Sequence, residues 1–100
     1  MNLQHLENEP TERLIAIFQN SDSSLAEAKV AFVVICYRFR EDLLTKCEII
    51  CSNLGHPPSV AEEIAETTFK KYERSRSFDF NKMTVSNVDQ GFKFYLYRIA

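Results

Sequence analysis

Residues 24–54 carry one uninterrupted helical pattern with a stop at each end, and that single feature limits the folds open to the chain. Ser24-Leu25-Ala26-Glu27 is a capping box, in which Ser24 and Glu27 satisfy each other's free backbone donors. Phe32, Ile35, Phe39, Leu43, Cys47, Ile50 and Leu54 then recur at three- and four-residue steps. Gly55 supplies the C-terminal stop, and Pro57-Pro58 prevent continuation. The span is roughly 30 residues, or about 45 Å at 1.5 Å per residue. A helix of that length needs partners along its whole apolar stripe. Two glycines and three prolines leave little turn chemistry, which favours a few long helices over many short strands.

The partners are legible on both sides. Leu14, Ile15 and Phe18 share a face of a shorter helix over Thr11–Gln19, with Pro10 suited to its start and residues 20–24 breaking it. A third helix opens at a second capping box, Ser59-Val60-Ala61-Glu62. Ala61, Ile64, Ala65, Thr68 and Tyr72 make its buried stripe, with Phe69 beside it. Its acidic start (Glu62, Glu63, Glu66) and basic end (Lys70, Lys71, Arg74, Arg76) follow the helix dipole. Residues 77–91 are mixed and hold a loop of about a dozen residues, long enough to suggest function. A fourth helix begins near Asp89. The expectation is an all-α fold: a compact helical bundle of three main helices plus a short N-terminal helix, forming one domain over residues 1–100.

Composition excludes more than it identifies. The longest apolar run, residues 30–37, is too short to span a membrane. The polar, acidic residues 1–10 are no secretory signal and read as a frayed end. Three cysteines, an odd number without disulfide spacing, suggest a reducing cytoplasm. The net charge of −2 predicts no nucleic-acid binding by itself, but its distribution is uneven. Residues 1–69 hold five Lys/Arg against eleven Asp/Glu, whereas residues 70–100 hold seven against three. The C-terminal third is a basic segment on an acidic protein.

That segment ends in the most distinctive stretch of the chain, residues 92–100, with four aromatics and two cations. Phe92, Tyr95, Leu96 and Ile99 share the core-facing spacing, leaving Lys93, Phe94, Tyr97 and Arg98 on the other sides. Exposed aromatics interleaved with cations suit unstacked bases and phosphates, although a packed aromatic helix end has the same pattern. Reaction chemistry is not suggested. Cys47 continues the apolar stripe, and no fourth ligand stands near Cys47, Cys51 and His56, so the cysteines read as core and no metal or cofactor is expected. Cys36 has no base nearby in sequence, and the acidic cluster at 62–66 is ordinary helix-surface chemistry.

Three stretches resemble a known family. The long-helix residues Ala31, Phe32, Ile35, Phe39 and Leu43 resemble region two of bacterial RNA polymerase sigma factors, the extracytoplasmic-function group most closely. Residues 60–69 are similar to that group's acidic helix, D-A-E-D-L-V-Q-E-V-F, and residues 92–100 to its F-R-A-W-L-Y-R-I-A. The resemblance covers roughly residues 25–100. It implies an alternative sigma factor domain whose acidic helix binds core RNA polymerase at the beta-prime clamp helices. The following loop and helix would recognise and open the promoter −10 element on its non-template single strand.

Carried onto this chain, the polymerase contacts fall on Glu62, Glu63, Ile64, Glu66, Thr67 and Lys70. Glu63 stands for the family's aspartate and Ile64 for its leucine; Glu66 and Thr67 depart from the usual glutamine and glutamate. The DNA contacts fall on Lys82, Lys93, Phe94, Tyr95, Tyr97 and Arg98. Lys82, Lys93 and Arg98 suit phosphates, and Phe94 and Tyr97 suit bases. Tyr95 stands where the family has tryptophan, while its spacing with Phe92 and Ile99 favours packing inside. The chain stops at Ala100, where the family continues, and the −35-reading domain is absent, so an isolated or truncated region-two domain is expected. The alternatives are a helical protein-interaction module without DNA contact, binding a partner helix or an anti-sigma-type regulator, and a homodimeric helical scaffold.

Overall fold

A computed structural model of the chain describes residues 4–83 and 85–100. Among them are four α-helices and no strand: α1 (Thr11–Gln19), α2 (Leu25–Asn53), α3 (Pro58–Ser75) and α4 (Val88–Ile99), with short 3-10 turns at Gln4–Asn8 and Phe80–Lys82. The all-α bundle expected from the pattern is what the chain forms. Its 29-residue α2 is about 43 Å long at the standard helical rise, close to the 46 Å longest dimension of the molecule. The other helices pack around it.

Local chemistry sets the ends of α2. Ser24 accepts a hydrogen bond from the Glu27 backbone N–H at 3.1 Å, and its hydroxyl donates to the Glu27 carboxylate at 3.2 Å. At the other end the His56 N–H reaches the Cys51 carbonyl at 2.8 Å and the Gly55 N–H reaches that of Ser52 at 3.1 Å. This is a Schellman stop, and it holds Gly55 at φ 78°, where a Cβ would be strained.

The buried row of α2 runs through Ala31, Ile35, Phe39, Leu43, Cys47 and Cys51, every fourth residue. Such a row drifts by about 40° per step, so it winds around the helix. It passes from the α1 side, where Arg38 bonds to Thr11 at 3.3 Å, to Cys51 beneath the turn into α3. Here the expected stripe needs correction. Ile50 and Leu54 are exposed (46% and 68%), because the row continues by four residues from Cys47 instead of three.

Two further expectations differ. The capping box at Ser59 does not form: Pro57 is the N-cap of α3 and Pro58 its first residue, where a preset φ and a missing N–H carry no penalty. Glu62 and Glu63 therefore lie beyond the first turn, which has no acidic residue. The N-terminal end is also better anchored than a frayed segment. Leu6 is 2% exposed within the core, and Arg38 donates to the Glu7 carbonyl at 2.8 Å. Residues 1–3 lie outside the described residues.

An aromatic cluster closes the core. Tyr72 is fully buried, with the rings of Phe18, Phe92 and Tyr95 at 5.2, 5.0 and 5.9 Å between centroids. Phe39 meets Phe92 edge-on at 5.0 Å, which docks α4 on the middle of α2. The Tyr72 hydroxyl donates to the Gln19 amide oxygen at 2.8 Å, and the Gln19 nitrogen donates to the Phe78 carbonyl at 3.0 Å. Burial pushes the Tyr72 phenol up. Burial, aided by the Glu73 charge, pushes the Cys36 thiol up to about 12.

Two outcomes are expected. Phe39→Ala removes a ring that is 4% exposed and should cost about 3–5 kcal/mol in urea unfolding; a cost below about 1 kcal/mol would contradict its placement. Alkaline stability follows from the raised pKa values. Both groups are neutral when folded, so their contribution is complete below pH 9, the unfolded thiol's value, and is lost as pH rises toward 12. The urea midpoint should be flat from pH 7 to about 9 and then fall. Tyr72 phenolate, followed by ultraviolet absorbance, should appear only as the chain unfolds.

Candidate nucleic-acid interface and acidic docking face

The loop between α3 and α4 leaves the core with a bend and returns to it twice. Arg76 ends α3 in the left-handed region at φ 45°, an uncommon conformation for a residue with a Cβ. Its guanidinium lies over the Phe18 ring at 4.6 Å, a cation–π contact that offsets part of the strain. Phe78 is then buried (6% exposed), edge-on to Phe80, Phe92 and Tyr95. The Asp79 carboxylate accepts from the Asn81 N–H at 2.9 Å and starts the Phe80–Lys82 turn. Asn87 caps α4 through the Gln90 N–H at 3.2 Å. Thr84, within this loop, lies outside the described residues.

The loop and α4 enclose an open pocket of about 210 Å³. Ser77, Phe78, Asp79, Lys82 and Met83 form the loop wall, and Gly91, Phe94, Tyr95 and Arg98 form the helix wall. Gly91 permits the close approach of the two walls: a Cβ there would sit 2.6 Å from the Met83 sulfur. Four of the six residues assigned to DNA thus surround one cavity: Lys82, Phe94, Tyr95 and Arg98. Phe94 is 45% exposed, unusual for a phenylalanine and available for stacking.

Tyr95 packs inside, as its spacing favours, yet it also reaches the pocket. Its ring packs against Tyr72, Phe78 and Phe92, and its hydroxyl lies 3.2 Å from the Ser77 hydroxyl and 3.4 Å from that of Ser75, at the pocket rim. The remaining two residues face elsewhere. Lys93 forms an ion pair with Asp42 of α2 at 3.4 Å. Tyr97 lies under the Lys46 ammonium at 5.7 Å, and burial raises its phenol pKa while Lys93 opposes the rise. Both therefore brace α4 against α2. The loop from Asp79 to Gln90 is legible in sequence as a cup for a base, but Ser77, Asp79 and Met83 carry no individual signal, because only the loop's path brings them opposite α4.

The acidic helix presents a second surface. Glu63, Ile64, Glu66, Thr67 and Lys70 line a shallow groove of about 500 Å³ beside Lys71 and Ala100. Ile64 is half-buried and the others are exposed. Glu66 pairs with Lys70 at 3.7 Å, an exposed contact of little energetic weight. Lys71 donates to the Ile99 carbonyl at 3.1 Å and so ties the end of α4 to α3. Glu62 lies on the other side, in the α2–α3 groove floored by Phe32, Cys36, Leu44 and Phe69. Because Glu62 and Glu63 sit past the first turn, the helix dipole gives them little stabilisation, and capping does not explain their presence.

Cys47 and Cys51 are core side chains, and His56 is exposed. Among the described residues, no group of three or more His, Cys, Asp or Glu side chains is placed to hold a metal, and no helix is long and apolar enough to cross a membrane.

The chain matches no protein-family model, and neither a curated protein nor a solved structure is significantly similar to it.

Proposed function

We propose that this chain is the polymerase-binding and −10-recognising domain of an alternative sigma factor, acting in the bacterial cytoplasm. The observation that carries the proposal is the pocket between the loop and α4. Two separate segments place Lys82, Arg98, Phe94 and Tyr95 around a space of about 210 Å³, open to solvent. A reader of single strands needs this combination: cations for phosphates and a flat apolar surface for an unstacked base. The Asp79 carboxylate adds a hydrogen-bond acceptor that can discriminate among bases by their exocyclic amino groups.

The exposed row Glu63, Glu66 and Thr67, with Ile64 between them, is the surface through which the domain would dock on the beta-prime clamp helices. It lies on α3, so docking there and strand capture beside α4 use different surfaces. In this scheme no reaction is catalysed. Binding energy holds the bases out of the duplex and no cofactor takes part.

A second reading is a protein-interaction module without DNA contact, such as the target of an anti-sigma-type regulator. The specific observation in its favour is the small number of cations at the pocket. Lys93 is engaged with Asp42, and Asp79 opposes Lys82 and Arg98 in sign. Salt dependence separates the two readings.

Two measurements test the proposal. Glu63→Arg should abolish binding to an isolated clamp-helix fragment while leaving the far-ultraviolet circular dichroism unchanged; unaltered binding removes the docking surface. On a single-stranded −10 oligonucleotide, Phe94→Ala should cost about 1–3 kcal/mol in affinity. Lys82→Ala should flatten the dependence of log K on log salt by about 0.7. An affinity indifferent to salt and to both substitutions would favour the interaction module.

A further inference from the structure

The outer face of α2 carries a row of four residues at helical i, i+4 spacing: Lys29, Val33, Tyr37 and Glu41. None of these four lines a surface described above. Val33 is 63% exposed and Tyr37 85% exposed, the latter the most exposed large hydrophobic residue described. Lys29 and Glu41 are both exposed, and neither forms an ion pair or side-chain hydrogen bond among the described residues.

The order of chemistry along this row is cation, apolar, apolar, anion. A second copy laid antiparallel about a two-fold axis at residue 35 reverses it. Lys29 then faces the partner's Glu41, and Val33 faces the partner's Tyr37. Each contact occurs twice, as a two-fold interface requires. The same axis brings Ala26 opposite the partner's Leu44, a half-buried residue that also lines the α2–α3 groove. A parallel arrangement in register would set Lys29 against Lys29 and Glu41 against Glu41, so the charges select the antiparallel one.

We infer that the chain self-associates through the outer face of α2 as an antiparallel, two-fold dimer centred on Val33 and Tyr37. The face from Ala26 to Leu44 is about 27 Å long. A single helix pair of that length buries less than the roughly 1,600 Å² of a standard interface, so the dimer is weak and reversible.

Sedimentation equilibrium of the 100-residue chain from about 10 μM to 1 mM tests this, since that range spans weak dimers. A monomer–dimer equilibrium should appear, and Tyr37→Glu should abolish it across the whole range. Tyr37 is 85% exposed, so its replacement should leave the core intact, and circular dichroism verifies that the helices persist. The charge pair gives the sharper test. Lys29→Glu and Glu41→Lys should each raise the dimer Kd about tenfold or more, because each places like charges in two contacts. The double exchange Lys29→Glu/Glu41→Lys should restore Kd to near the starting value. A chain monomeric at 1 mM overturns the inference. A dimer that ignores Tyr37→Glu, or that the double exchange fails to restore, overturns the face and its antiparallel order.

Discussion

Everything in this bundle depends on where the Tyr72 ring and its hydroxyl go. The ring is the hub of the aromatic core, and a buried phenol must find a hydrogen-bond partner or destabilise the fold. Gln19, at the last residue of α1, accepts from that hydroxyl and donates to the Phe78 carbonyl in the α3–α4 loop. One relay thus fixes three things: the end of α1, the register of α3 and the point at which the loop returns to the core. Neutral partners suffice for this, so the cluster remains free of buried charge.

The candidate site is a consequence of that anchoring. Once the Phe78 carbonyl is held, the Phe78 ring goes inward against Phe92 and Tyr95. The following residues then have to pass in front of α4, and Gly91 allows them to come close. A cavity results whose inner wall is core and whose rim is polar. Tyr95 belongs to both, with its ring in the aromatic cluster and its hydroxyl at the rim beside Ser75 and Ser77. A rigid core therefore holds the side chains proposed to meet a flexible strand, which lowers the ordering cost of binding. The acidic surface of α3 is independent of this arrangement and needs only the helix itself.

Much of the fold was legible because its signals are local. The N-cap at Ser24, the stop at Gly55 and the limits of α1 each follow from two or three neighbouring residues, and all appear where the pattern puts them. Errors arose where neighbours compete. Ser59 has the right partner for a capping box, yet Pro57-Pro58 start the helix two residues earlier, since proline's fixed φ suits a first turn. Ile50 and Leu54 fit a three-four repeat, but that repeat assumes a straight stripe. The partners of α2 change along its length, and the buried row follows them to Cys51. Leu6 was missed because one leucine in a polar segment has no periodicity to reveal it.

For the site, residue types were visible in the chain and their grouping was not. Sequence alone determined the all-α class, the long central helix and the concentration of aromatics and cations after residue 70, because composition and helical spacing are properties of the chain itself. Tertiary structure decided which of those residues lie together. Lys93 and Tyr97 turn to α2, where Asp42 and Lys46 offer partners, while Lys82, Phe94, Tyr95 and Arg98 meet around one pocket. The physical reason is that a helix has more than two sides. Spacing separates a core face from the remainder, but only the packing of a neighbour divides that remainder into a braced side and an open one.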